Sequence, residues 1–257
     1  MTLPGDQAPP VHAGFTSAFL GAPLDAIKLA AAGLMVLDHV NTVLLDGRAT
    51  WMWRLGRVAF PLFCFALAVH LLRGREPGRQ LGLLLAAGVV TQPFYAAAFN
   101  YGSKEANILF TLAGGAALAA WLDGRPALVR HAALALGLGA ILAFPQTTKT
   151  GVDFGLPGLL IPVAMLCALR QPLAFGPWLL AALFALNLTG WHPRGETPLA
   201  AATMDCLTIL AAGGVLIAAS LALRSRPRFL PRYALHAFYP AHLGLLAALR
   251  ALGVGGP

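Results

Sequence analysis

The sequence predicts an all-α integral membrane protein, a polytopic bundle of about nine transmembrane helices. Three observations carry that prediction. The 257 residues are 58% hydrophobic and only 11% charged, with a mean hydropathy of +0.72, whereas soluble domains carry about 25% charged residues. The apolar residues form long unbroken runs, and roughly 20 residues rising about 1.5 Å each cross the hydrocarbon of a bilayer. The short alternating segments of about ten residues that mark a membrane barrel are missing, so backbone groups in lipid must be satisfied within helices.

Taken in order, residues 1–24 lack a basic start followed by an apolar core, which predicts a cytoplasmic segment without a cleavable signal. Gly, Pro and Arg clusters then divide the chain into spans at 25–45, 55–72, 80–99, 107–122, 128–144, 154–169, 173–189, 200–223 and 232–251. The division at RQPLAFGP is the weakest, and a count of eight or ten also fits. No internal repeat interrupts 25–251, which reads as a single transmembrane domain.

Orientation follows from the basic residues. The even-numbered loops hold ten (Arg73, Arg75, Arg79, Arg125, Arg130, Arg170, Arg224, Arg226, Arg228 and Arg232). The odd-numbered loops and their edges hold six (Arg48, Arg54, Arg57, Lys104, Lys149 and Arg194). The positive-inside bias therefore predicts a cytoplasmic N-terminus and an extracytoplasmic C-terminus. It also accounts for the net charge of +8 without nucleic acid, since no aromatic-basic stripe is present.

The first span, DAIKLAAAGLMVLDHVNTVLL, carries Lys28, Asp38, His39 and Asn41 among its apolar residues. An ionisable group inside a membrane helix costs roughly 2.5–3.5 kcal/mol on insertion scales, which marks a functional site. Lys28 and His39 are eleven residues apart, three turns plus about 20°, so they share a face and stand about 16 Å apart along the axis. His39 and Arg57 each lie nine residues from Arg48 at the first outer turn, which predicts similar depth. Asp38 points about 100° away from His39, towards a neighbouring helix, with Arg57 as its expected ion-pair partner. Snorkelling of Lys28 and a structural hydrogen bond from His39 are the plainer alternatives.

Further polar residues fall at the level of His39: Gln92 in the third span, Asn107 opening the fourth, Asp153 opening the sixth and Asp205 in the eighth. Asn107 and Asp153 each precede an apolar helix and also read as N-caps. Together these residues outline a polar chamber opening outward. Lys28, His70, His236 and Tyr239 fall in the cytoplasmic half, and His242 near mid-depth beyond the kink expected at Pro240.

Cys64, Cys167 and Cys206 show neither metal-ligand spacing nor a disulfide framework, and no metal is predicted. Phosphate-binding glycine loops, HExxH pairs and GxSxG elbows do not occur. Chemistry must come from the embedded His, Lys and Arg.

IKLAAAGLMVLDHVN followed by LGRVAFPLFCFALAVH resembles the opening of TraX-type proteins, relatives of the F-pilin acetylase, and NILFTLAGG, DFGLPGLLI and YALHAFYPAHL continue the resemblance from about residue 25 to 245. The Lys28-x10-His39 spacing is also similar to a signature of the broader membrane acyltransferases. The resemblance implies a bacterial inner-membrane acetyltransferase. It would carry acetyl from cytoplasmic acetyl-CoA to an extracytoplasmic amine or hydroxyl, on pilin or a glycan. By the resemblance His39 would be catalytic, as general base or acetyl-carrying nucleophile, assisted by Lys28 and Arg57. The placement of the polar residues adds Asp38 to the catalytic group, assigns Lys28, Tyr239 and His242 to the donor, and assigns Asn107, Asp153 and Asp205 to the acceptor. Membrane lipid surrounds such a protein, and a homo-oligomer is compatible with it. A proton-coupled transporter without covalent chemistry, and a structural membrane subunit, are the competing classes.

Overall fold

The structure is a computed structural model that describes residues 17–73, 76–99, 105–144, 151–190, 192 and 195–255. Arg75, Lys104, Lys149 and Arg194, used above for orientation, lie outside the described residues. The described chain is helical almost throughout. Its helices are α1 (Ala22–Leu44), α2 (Thr50–Gly56), α3 (Ala59–Leu72), α4 (Pro77–Phe99), α5 (Ile108–Asp123), α6 (Ala127–Ala143), α7 (Gly155–Arg170), α8 (Pro172–Thr189), α9 (Pro198–Ser220) and α10 (Ala234–Ala251). Each predicted span is helical, the second of them divided between α2 and α3. Among the described residues, five helical stretches are long and apolar enough to cross a membrane: Ala22–Leu44, Thr50–Leu72, Pro77–Phe99, Pro172–Thr189 and Pro198–Leu223.

Local chemistry explains the boundaries. Pro77, Pro172 and Pro198 occupy the first helical position, where the missing N–H costs nothing. Asn107 caps α5 by accepting the Leu109 N–H at 3.1 Å, and Thr197 caps α9 by accepting the Ala200 N–H at 3.3 Å. The second predicted span begins earlier than expected, at Thr50 rather than 55, and breaks between Gly56 and Ala59. Pro61 explains the break. It has no N–H to offer the Arg57 carbonyl, and its ring crowds that carbonyl, so the turn at Arg57 and Val58 interrupts the α-helical ladder.

α7 is buried over nearly its whole length and packs against α3, α5, α6 and α8. Small residues allow that approach: a Cβ on Gly115 would lie 2.6 Å from Pro162, and one on Gly137 2.6 Å from Leu160. The opposite, outward surface is apolar. Leu173 is 98% exposed and Leu128 78%, an arrangement that water disfavours and lipid accepts.

One feature has no counterpart in the predicted all-helical pattern. β1 (Glu105–Ala106) and β2 (Gly151–Val152) pair in parallel, Glu105 with Gly151 and Ala106 with Val152. The pairing continues as the Asp153 N–H donates to the Ala106 carbonyl at 2.8 Å. It ties the segments entering α5 and α7 together beside His39.

Candidate functional site

The shared face of α1 opens onto two separate cavities. Lys28 lines the first, of about 650 Å³, together with His70, Glu76, Arg79, Arg228, Arg232 and His236. His39 lines the second, of about 510 Å³, with Asp38, Thr42, Trp53, Arg57, Tyr95, Phe99, Glu105, Asp153 and Phe154. The shared face of Lys28 and His39 thus meets a pair of cavities on one helix.

In the Lys28 cavity, Lys28 Nζ lies 2.9 Å from His70 Nε2. Asp25, one turn earlier and 1% exposed, organises the far wall. Its Oδ2 accepts the backbone N–H groups of Phe229 and Leu230, each at 3.1 Å, and faces Arg228 Nε at 3.5 Å. This carboxylate draws the 228–230 segment onto the start of α1, so Arg228 and Arg232 stand over Lys28. In the sequence these arginines bear only on orientation; nothing in local spacing reveals a contact across 203 residues.

In the second cavity, His39 Nδ1 lies 2.8 Å from His242 Nε2, and His242 Nδ1 lies 3.1 Å from the Phe238 carbonyl oxygen. A carbonyl only accepts, so His242 Nδ1 carries the proton and its Nε2 is the acceptor. His39 Nδ1 must then donate, which leaves the lone pair of neutral His39 on Nε2. Phe99 packs edge-on against His39, with ring centroids 5.1 Å apart, and Tyr239 lies at 6.3 Å. Tyr239 and His242 thus sit with His39 rather than with Lys28, His70 and His236.

The expected Asp38–Arg57 ion pair is not formed. No ion pair within 4.0 Å joins them among the described residues. At the helix break the Arg57 guanidinium lies over Trp53, 3.7 Å from its ring centroid, and 5.2 Å from that of Phe154, a cation–π arrangement that takes the place of a carboxylate. Asp38 is pinned from behind, because α2 crosses so closely that a Cβ on Gly56 would collide with the Asp38 side chain. Its buried Oδ1 has no hydrogen-bond partner among the described residues.

Asp153 reaches the cavity through a strained turn. Phe154 has φ 62°, the left-handed region that non-glycine residues avoid. The Thr111 hydroxyl donates to the Asp153 carbonyl at 2.5 Å, and Phe154 stacks on Phe60 at 4.9 Å. Enclosure pushes the Asp153 carboxyl up to about 7, against the opposing pull of Arg57. The other two expected acceptor residues lie outside the cavity lining. Asn107 is fully buried and its amide donates to the Gly88 carbonyl and to Gln92, each at 2.8 Å; with its bond to Leu109 this is the capping role offered above. Asp205 is 1% exposed within the body of α9. Glu105 and Phe154, which do line the cavity, carried no sequence signal beyond their neighbours.

The family model described as TraX protein matches residues 23–250. The chain belongs to the TraX family. It is 33% identical over 234 residues to Protein TraX of Escherichia coli, covering 88% of this chain and 86% of that one. It is also 26% identical over 267 residues to the probable fimbrial assembly protein FimC of Dichelobacter nodosus, covering 87% of this chain and 94% of its relative. No solved structure matches the chain. The TraX match takes in both cavities, from Lys28 on α1 to His242 on α10.

Proposed function

We propose that this TraX-family protein is a membrane-bound acetyltransferase of the bacterial inner membrane, with its N-terminus in the cytoplasm and nine spans. Acetyl-CoA is the donor, entering at the Lys28 cavity, and the acceptor enters at the His39 cavity from the opposite side. The observation that carries this reading is the His39–His242–Phe238 relay, which leaves a basic His39 Nε2 beside a cavity.

The chemistry balances simply. The acceptor nitrogen attacks the thioester carbonyl while His39 Nε2 takes its proton, and the C–S bond breaks to release CoA thiolate, which regains a proton. His242 steadies the imidazolium that forms on His39, as the third member of a triad does. Arg57 is the cation available to the oxyanion. Lys28, Arg79, Arg228 and Arg232 suit the phosphates of the donor.

Asp38, Glu105 and Asp153 line the acceptor cavity against Arg57, and the unpartnered Asp38 oxygen offers an acceptor to an N–H donor. These features favour an amine, held through its N–H donors and attacking as the neutral base, over a glycan hydroxyl. A fimbrial assembly protein among the relatives supports a pilin N-terminus as the source of that amine. A relay of His and Asp residues also suits a proton-coupled transporter, but such a protein would not consume acetyl-CoA.

The test is mass spectrometry of the purified protein after exposure to isotope-labelled acetyl-CoA and a peptide with a free N-terminus, comparing wild type with His39→Ala. Labelled peptide from the wild type alone supports the reading, and label on His39 would add an acetyl-histidine step. Acetyl-CoA left intact by the wild type in the presence of pilin peptide would move the transporter to first place.

A further inference from the structure

The two cavities lie on the same pair of helices. On α1, Lys28 faces one and Met35, Asp38 and His39 the other; on α3, Ala66 and His70 face one and Ala59 and Phe60 the other. Among the described lining residues, Phe63 alone belongs to both. It stands seven residues before His70 on α3, two turns that keep the two on one face about 10.5 Å apart. Half-buried, it also packs on both of the apolar clusters that meet at this level. Cations dominate one side, with Lys28, Arg79, Arg228 and Arg232 against Glu76, and carboxylates the other, with Asp38, Asp46, Glu105 and Asp153 against Arg57.

We infer that Phe63 is the partition between the two compartments, sealing the membrane at rest, and that a donor arm reaches His39 by turning it aside. The second half of this statement rests on the acetyltransferase reading; the first does not. A phenyl ring offers no hydrogen bond to water, and apolar constrictions close a path by dewetting rather than by filling it. Rotation about the side-chain bonds is the only movement needed, and the rotamer wells of a half-buried ring permit it. The acetyl-cysteamine and β-alanine end of the arm is thin and unbranched, so it can pass where the phosphates held by Lys28 and the arginines cannot. Phe63 is thus a positioning residue. It determines when the two compartments are joined.

The experiment uses the full chain reconstituted in vesicles with a trapped pH dye and a permeant counter-ion, and follows proton leak after a pH jump. Phe63→Ala, Phe63→Leu and Phe63→Trp are compared with wild type, each checked for monodisperse elution in detergent. Leak several-fold faster than wild type in Phe63→Ala, smaller in Phe63→Leu and absent in Phe63→Trp supports the partition. With acetyl-CoA and a peptide amine, Phe63→Trp should lower kcat/KM for the donor while leaving KM for the amine unchanged. Should Phe63→Ala not survive purification, Phe63→Leu alone decides the leak. Folded small-residue variants as tight as wild type would overturn the partition, even if wild type turns over acetyl-CoA. Leak through those variants with no acetyl-CoA consumption by any protein would keep the partition and remove the donor-arm role together with the acetyltransferase reading.

Discussion

His39 Nδ1 lies 2.8 Å from His242 Nε2 across 203 residues of chain. Because His242 Nδ1–H donates to the Phe238 carbonyl, the neutral pair has one tautomeric arrangement, with the lone pair on Nε2 of a residue that lines the cavity. On the acetyltransferase reading His242 would position His39, and its loss is measurable apart from the loss of His39.

His39→Ala is expected to abolish acetyl transfer. His242→Ala should leave His39 free to adopt either tautomer and lower kcat by roughly 10²–10⁴-fold, the range for a mispositioned general base, with KM for acetyl-CoA little changed. Steady-state release of CoA by both variants checks this. Equal activity of His242→Ala and wild type would dissolve the relay.

The Asp153 carboxyl, raised from 3.8 to about 7, ties stability to pH. A carboxyl whose pKa is raised by folding favours the folded state while it is protonated. That contribution is complete below about pH 4 and is lost as pH climbs through about 7. The Tm of the detergent-solubilised protein should therefore carry a downward component over this interval, and Asp153→Asn should remove it. A variant whose Tm profile parallels wild type across the interval would show that Asp153 titrates normally.

Asp25→Ala removes the acceptor for the Phe229 and Leu230 N–H groups and loosens the wall carrying Arg228 and Arg232. Donor binding should suffer first. KM for acetyl-CoA is expected to rise roughly ten-fold, about 1.4 kcal/mol, with KM for the amine unaffected. A fall in kcat alone would place Asp25 outside the donor side.

Topology is open to direct test. Accessibility of single cysteines introduced at Arg226 and at Arg48, probed with a membrane-impermeant thiol reagent on intact cells, should label position 48 and leave position 226 protected. The reverse pattern would invert the two compartments and bring the Lys28 cavity to the outside.

The physical legibility of this chain divides along the range of the forces involved. Hydropathy and helical spacing act within one segment, so the helices, the shared face of Lys28 and His39 and the capping by Asn107 were readable from residues 25–45 and 107–109 alone. The Asp38–Arg57 pair was misjudged for a local reason that spacing hides: Pro61 breaks the helix and turns Arg57 onto Trp53.

By itself, then, the sequence determined a helical membrane protein of the TraX family with charges aligned along its first long helix, because burial of apolar side chains and satisfaction of the backbone in lipid are decided residue by residue. Only the tertiary structure decided that His242 pairs with His39, that Asp25 accepts from the Phe229 and Leu230 backbone beside Arg228, and that Phe63 lines both cavities. Those relationships depend on which helices pack together. In lipid that packing is set by close fit at residues such as Gly115 and Gly56, information carried by pairs of surfaces and not by any one stretch of the chain.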